Sequence, residues 1–555
     1  MERIWLKSYP PGMPAEVAWD EFGSIGELFE KSAAKFSDRP AYHCMGRTLT
    51  FADVERMSRA FGAWLRSRGL PRGARVAIMM PNVLQYPVAL FGALRAGYVV
   101  VNVNPLYTAR ELEHQLKDSG AEAIVILENF ARTLQEVLPR TPVKQVVLAS
   151  LGDLLGVKGA IVNFVVRKVK KMVPAFELPG AERFNAVIAA GAAMAPAPAD
   201  AGHDDLAFLQ YTGGTTGVSK GAMLTHRNIL ANIAQASWNL TASLEGETPV
   251  IITALPLYHI YSLTVNCLMM AKQGGLNVLI TNPRDIPAFI KELGRHRYNM
   301  MTGVNTLYNA LMHHPDFGRL SFSHVKIFGA GGMAMQKAVA DKWKQRTGKM
   351  ILEGYGLTET SPVATTNPPS VTEFNGSIGL PIPSTDVALR DDDDKEVPLG
   401  QPGEICIKGP QVMKGYWQRP DETAKVIGAD GFLHTGDIGV MDEKGFIRIV
   451  DRKKDMILVS GFNVYPNEIE QVVAMHPGVL EVAAIGVPDE HSGEVPKLFV
   501  VRKDPSLTAE QVIEFCKDKL TGYKRPKYVE FRSELPKTNV GKILRRALRE
   551  EKKAA

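Results

Sequence analysis

Residues 206–223 read LAFLQYTGGTTGVSKGAM, an apolar run that gives way after Tyr211 to glycine, threonine, serine and lysine. In Thr212, Gly213, Gly214, Thr215, Thr216, Gly217, Ser219 and Lys220, successive glycines let backbone N–H groups converge on a phosphate. The interleaved hydroxyls add donors. Ser219, not glycine, precedes Lys220, so this is not the Walker pattern, and a standard P-loop kinase or ATPase is disfavoured. Taken alone, such a turn is also compatible with a purely structural role. The chain around it sets the fold: between 51 and 381, helical stretches alternate with short apolar strands at 75–80, 98–103, 123–127, 145–149, 277–280 and 325–330. That alternation predicts a layered α/β domain with mostly parallel sheets.

After residue 382 the character changes. Strands at 386–390, 403–408 and 445–450, separated by turn residues, predict a small antiparallel sheet or distorted barrel. Beyond 455, helices near 466–475 and 509–520 flank strands at 482–487 and 498–502, and Thr508 with Gln511 forms a capping box for the second helix. The expected class is therefore α/β: a large multi-layer N-terminal domain of mostly parallel sheets with a barrel-like antiparallel subdomain, followed by a small α+β domain.

The 555 residues suffice for several cores, and 45% apolar with 22% charged residues excludes disordered, collagenous and coiled-coil chains. A formal net charge of +6 suits anionic small ligands or an anionic lipid surface better than nucleic acid, which is not expected as a partner. Cys44, Cys267, Cys406 and Cys516 lie too far apart in sequence for a zinc motif or a local disulfide framework, which fits a reducing compartment. Prolines and charges in 1–16 stand where a signal peptide needs an apolar core. Residues 249–271 carry no formal charge if His259 is neutral, but Pro256, Ser262, Thr264 and Asn266 favour a strand at 250–255, a turn and a buried helix over a membrane span.

Two charge runs stand out. Asp391 to Asp394 reads as a solvated hairpin tip without assigned function. Residues 157–173 hold Lys158, Arg167, Lys168, Lys170 and Lys171 and no acid. Wound as a helix, they set Ile161, Val165, Val169 and Met172 against Asn163, Arg167, Lys170 and Lys171. Either a surface helix packed on the body or a membrane-surface contact fits.

Three further clusters carry chemistry. In 352–360, Gly354 and Gly356 allow a tight turn presenting Tyr355 as an aromatic platform, Thr358 as a hydroxyl donor and Glu359 as an oxygen ligand for magnesium. In 430–437, Asp437 offers two acceptors to a ribose, and Arg452 in 451–455 a second contact. In this order and spacing the four clusters resemble the adenylate-forming acyl-activating family, over about 51–546. Further matches are 255–261 with His259, 329–334, 461–466 and 536–546 with Lys542; 433–470 and 303–307 look most like bacterial long-chain fatty acid CoA ligases.

The resemblance implies two half-reactions. A fatty carboxylate attacks the α-phosphorus of ATP, releasing pyrophosphate; CoA then displaces AMP from the acyl adenylate, for fatty acid degradation or lipid metabolism. It assigns ATP to 212–220, Gly354, Tyr355, Gly356, Thr358, Asp437, Arg452 and Lys542, Mg²⁺ to Glu359, and catalysis to Lys542, Thr358, Glu359 and His259. The acyl chain falls to Gly303, Val304, Gly329, Gly331 and Gly332, the CoA path to Gly461 and Phe462, and the hinge to Lys454. His259 also reads as a buried structural histidine. The implied domains are 1–451, with a β-rich part at about 382–451, a hinge at 452–455 and a mobile unit at 456–555 carrying the catalytic lysine. A cytoplasmic place, peripheral on the inner face of the membrane, and a homodimer are further expectations. The rivals are an adenylating ligase for another acid or a carrier-protein acceptor, and a non-catalytic membrane-associated fatty acid binding or uptake protein.

Overall fold

The computed structural model describes residues 2–196, 201–212, 219–460, 462–538 and 541–550. Seven strands form one sheet in the order Glu182–Arg183, Gln145–Ala149, Ala121–Leu127, Arg75–Met79, Val99–Asn102, Leu206–Thr212 and Lys220–Thr225. All neighbours are parallel except the last pair, an antiparallel hairpin. The central strands are near-continuous apolar runs because helices cover both faces.

A nine-stranded sheet contains, in order, Leu380–Pro381, Val363–Thr366, Ile351–Gly356, Ile327–Ala330, Met300–Gly303, Val250–Thr253, Leu276–Leu279, Pro40–Cys44 and Arg47–Thr50. It is parallel from Ile351–Gly356 to Pro40–Cys44 and antiparallel at both edges. Thus the layered part begins before residue 51, with the helix Ile25–Lys35 and the short hairpin after it. Helix Gln85–Arg95 is buried along its whole length. It crosses helix Phe51–Ser67 at a glycine pair, where a Cβ on Gly62 would stand 2.8 Å from the Gly92 carbonyl oxygen.

The uncharged 249–271 stretch folds as strand Val250–Thr253 and a buried helical segment from Ser262 to Gln273, with polar groups satisfied internally: the Asn266 amide donates to Thr302 at 2.9 Å. Among the described residues, no helix is long and apolar enough to cross a membrane. The four cysteines are buried and unpaired.

The antiparallel sheet has four strands, Asp386–Arg390, Gly403–Lys408, Leu433–Met441 and Ile447–Arg452. The third escaped sequence reading because Thr435, Gly436 and Asp437 interrupt its apolar pattern. This layer also takes in the chain's start: Trp5 packs with Val387, Leu389, Ile405 and Ile447. The C-terminal sheet is built on the hairpin Val479–Asp489 and Gly493–Arg502, flanked by helices Pro466–Ala474 and Ala509–Lys517, the latter capped by Thr508 and Gln511 as expected.

Residues Val157–Phe164 form a helix continued as a π-turn through Val169. Arg167 is not on a free polar face: it pairs with Glu128 at 2.8 Å, because that carboxylate is only 2% exposed and needs countercharge. The exposed side carries Val157, Ile161, Phe164, Val169 and Met172 beside Lys168, Lys170 and Lys171.

Candidate active site

In the nine-stranded sheet, Thr253 pairs with Thr302, Gly303 with Ala330 and Ala330 with Glu353, so the carboxyl ends of four parallel strands come level along one edge. Ligands of open α/β sheets bind outside such an edge. Four expected segments leave from it: 255–261 with His259, 303–307, 329–334 and 353–359.

Gly354 and Gly356 do not make a tight turn. Both lie in strand Ile351–Gly356, paired with Val363–Thr366. The glycines serve close backbone approach: a Cβ on Gly356 would fall 1.7 Å from the Pro362 carbonyl oxygen. Tyr355 is nonetheless presented to the cluster, its hydroxyl donating to Asp437 Oδ2 at 2.7 Å. Asp437 stands opposite Arg452 on adjacent antiparallel strands, and Arg452 Nε lies 3.3 Å from Asp437 Oδ1. One carboxylate, 5% exposed, thus joins the large sheet to the last strand before the hinge segment.

Thr358 and Glu359 form a single turn after the strand. Tyr416 donates to Glu359 Oε1 at 2.7 Å, and burial pushes the Glu359 carboxyl above its ordinary range despite that bond. A hard carboxylate held with one oxygen engaged, and short of countercharge, is a donor suited to Mg²⁺. Thr212 and Lys220 face each other at the open end of the hairpin, and Ser219 donates to the Thr212 carbonyl at 2.6 Å. Lys220 lies over the Tyr416 ring and is ion-paired with Glu422. Gly213, Gly214, Thr215, Thr216 and Gly217 lie outside the described residues, as does Gly461. Tyr416 and Glu422, which link the phosphate loop to Glu359, escaped sequence reading. Their segment is held by backbone pairing to strand Lys220–Thr225, with Met223 N–H donating to the Gly415 carbonyl at 2.8 Å.

Lys542 comes from the far end of the chain. The Thr306 hydroxyl donates to the Gly541 carbonyl at 3.2 Å, docking the Lys542 loop against the 303–307 segment. Burial, then the Arg452 cation, brings the Lys542 ammonium down to about 7, with Asp437 opposing. His259 is held down to about 4 by burial and then by Lys542, so its ring is neutral at physiological pH and accepts from Tyr261 N–H at 3.3 Å. Both residues therefore belong to one electrostatic neighbourhood with Asp437 and Arg452.

The glycines assigned to the acyl chain have ring neighbours. A Cβ on Gly303 would meet the Tyr308 ring at 2.9 Å, and one on Gly331 the Tyr261 ring at 3.2 Å. Val304 is buried; Tyr308 donates to the Gly329 carbonyl at 2.7 Å; Gly332 takes a left-handed φ of +79°. Tyr261 was missed although it sits two residues from His259. Phe462 lies on the C-terminal sheet, 55% exposed and stacked on Tyr523. No hydrogen bond or ring contact among the described residues joins it to Tyr355, Glu359 or Asp437.

Lys454 lies in the turn after strand Ile447–Arg452. On either side, Asp451 and Asp455 both bond Arg545, at 3.1 and 3.5 Å, and Arg545 also pairs with Glu470 at 2.8 Å. This clasp, three residues beyond Lys542, also escaped sequence reading because a C-terminal arginine run reads as a solvated face.

The AMP-binding enzyme family model matches residues 29–417, and that of the AMP-binding enzyme C-terminal domain matches 468–542. A long-chain-fatty-acid–CoA ligase of Escherichia coli O6:H1 is 58% identical over 553 residues, spanning 99% of this chain and 98% of that protein. ATP-bound MatB from Rhodopseudomonas palustris superimposes with a TM-score of 0.78 at 31% identity, over 96% of this chain and 99% of that one. The fold is shared with the anthranilate CoA ligase AuaEII in complex with anthranoyl-AMP, at a TM-score of 0.85 and 24% identity over 97% and 99% of the two chains.

Proposed function

The chain belongs to the AMP-binding enzyme family, and from that premise we propose that it is an ATP-dependent ligase converting long-chain fatty acids to acyl-CoA through an acyl adenylate. The observation that supports this reading most is the docking of Lys542 beside Asp437, Arg452 and His259, at the strand edge from which Glu359 also leaves.

Within the proposal each residue has a task. Asp437 accepts the ribose hydroxyls, and Tyr355 provides the aromatic wall while fixing that carboxylate. The 212–220 hairpin tip receives the phosphates; Lys220 exchanges Glu422 for them. Glu359 holds Mg²⁺, which when bound neutralises triphosphate charge. Lys542 places its ammonium where negative charge converges between carboxylate and α-phosphate, a term worth several kcal/mol in comparable preorganised sites. His259 stays neutral and, with Tyr261 and the 303–307 and 329–334 segments, borders the acyl group. For thioester formation the unit after Lys454 turns, withdraws Lys542 and brings the Gly461–Phe462 segment to the adenylate.

Incubation with ATP, Mg²⁺, CoA and fatty acids of graded chain length, following AMP and acyl-CoA, tests the proposal. Turnover that rises with chain length is expected; AMP release only with short or aryl acids would favour another adenylating ligase. We further propose that the apolar ridge of Val157, Ile161, Phe164, Val169 and Met172, with Lys168, Lys170 and Lys171, rests on an anionic bilayer as a peripheral contact near membrane-dissolved substrate. Sedimentation velocity of the vesicle-free protein reads whether it also forms a homodimer.

A further inference from the structure

His43 and His296 meet beside the penultimate strand of the nine-stranded sheet, their ring centroids 4.6 Å apart and edge to face. His43 is on strand Pro40–Cys44, between Leu276–Leu279 and the edge strand Arg47–Thr50, and His296 caps the C-terminal end of helix Ile286–Arg295. Glu292, one turn before His296, places Oε2 3.3 Å from His296 Nε2. One ligand atom from each of the three residues lies within 4.8 Å of the others.

We propose that His43, Glu292 and His296 form a binding site for a borderline divalent cation of the Zn²⁺ type, joining strand Pro40–Cys44 to the helix end. Two imidazoles and a carboxylate are the donor set such ions favour, with water completing a tetrahedron. Tetrahedral bonds of about 2.1 Å set ligand atoms about 3.4 Å apart, a contraction that side-chain rotation supplies. The surroundings orient the ligands. His43 Nδ1 is engaged by the Thr48 hydroxyl at 2.8 Å, which fixes the ring and leaves Nε2 for the ion. Glu292 Oε1 is held by Arg295 at 2.5 Å, leaving Oε2. His296 and Glu292 side chains are 18% and 28% exposed, half-buried yet open to an entering ion. The carbonyl end of the helix adds negative potential. Cys44 is not part of the set: successive strand residues point to opposite faces, and its Sγ lies 3.4 Å from Thr281 Oγ1.

The test titrates untagged, metal-free protein with Zn²⁺ in competition with a chromophoric chelator, and with Co²⁺ for its visible spectrum. Wild type takes up a single tight equivalent, with Co²⁺ bands of tetrahedral nitrogen and oxygen ligation and no thiolate charge transfer. Affinity falls about 100-fold or more in His43→Ala and His296→Gln, and about tenfold in Thr48→Val, which loses only ligand orientation. Acyl-CoA formation without Zn²⁺ is unchanged in the folded variants. Should His43→Ala fail to fold, His296→Gln at the helix end decides. Equal binding by wild type and His296→Gln, or no uptake by wild type at micromolar Zn²⁺, overturns the site.

Discussion

Thr306 and Gly541 are hydrogen-bonded across 235 positions of sequence, the threonine hydroxyl donating to the glycine carbonyl at 3.2 Å. That bond sets the loop bearing Lys542 on the rim of the large sheet, next to Val304. In the proposed mechanism Lys542 serves adenylation from this place, and the same contact would have to break for CoA transfer.

Glu359→Gln keeps shape and removes charge. Adenylation is expected to fall by about 10² or more, as for loss of a preorganised electrostatic contact. Pyrophosphate release at saturating Mg²⁺ is the measurement, and near wild-type turnover there would refute the metal assignment.

Tyr355→Phe retains the aromatic wall but frees Asp437 from its 2.7 Å hydrogen bond. The KM for ATP should rise by about fivefold, since one such bond is worth ~1 kcal/mol, while the KM for fatty acid stays constant. A shift in the fatty acid KM instead would move Tyr355 to the acyl side.

Much of this candidate site could be proposed from sequence because the expected chemistry needs unusual residues in short runs. The glycine-rich loop, Glu359 and Asp437 stand out against apolar strands. What sequence hid was pairing. Gly354 and Gly356 look like turn formers, yet they are strand glycines, and Gly356 admits a neighbouring carbonyl at a distance no Cβ tolerates. The strand Leu433–Met441 is masked by the polar motif it carries. Tyr416 reaches Glu359 only because its segment pairs with Lys220–Thr225, a long-range contact without local signal. Arg167 looked like a free surface cation because its countercharge, Glu128, lies 39 positions away.

Glu353 is buried and accepts the Met335 N–H at 3.1 Å, and burial raises its carboxyl to about 8. Folded, it keeps a proton that the unfolded chain, ionising near 4.5, has released. Its stability contribution is therefore complete below pH 4.5 and lost as pH rises towards about 8. Glu353→Gln should be increasingly more stable than wild type from pH 5 to 8. Parallel melting curves across that range would contradict the assignment.

Lys168, Lys170 and Lys171 changed together to Gln should lower co-sedimentation with anionic vesicles at low salt, each lysine being worth ~1 kcal/mol at such a surface. Arg167 is left in place because it neutralises Glu128. Unchanged sedimentation would remove the ridge from any membrane role.

The most direct measurement separates the two half-reactions in Lys542→Ala and Lys454→Pro. Pyrophosphate release reports the first, and acyl-CoA from synthetic acyl adenylate the second. Lys542→Ala is expected to lose adenylation by about 10² to 10³ while retaining thioester formation. Lys454→Pro, with φ fixed near −65° between the two aspartates that Arg545 clasps, is expected to form adenylate and fail in CoA transfer. Equal loss of both half-reactions in both variants would mean that these lysines only support the fold, and would contradict catalysis by a docked and then withdrawn Lys542.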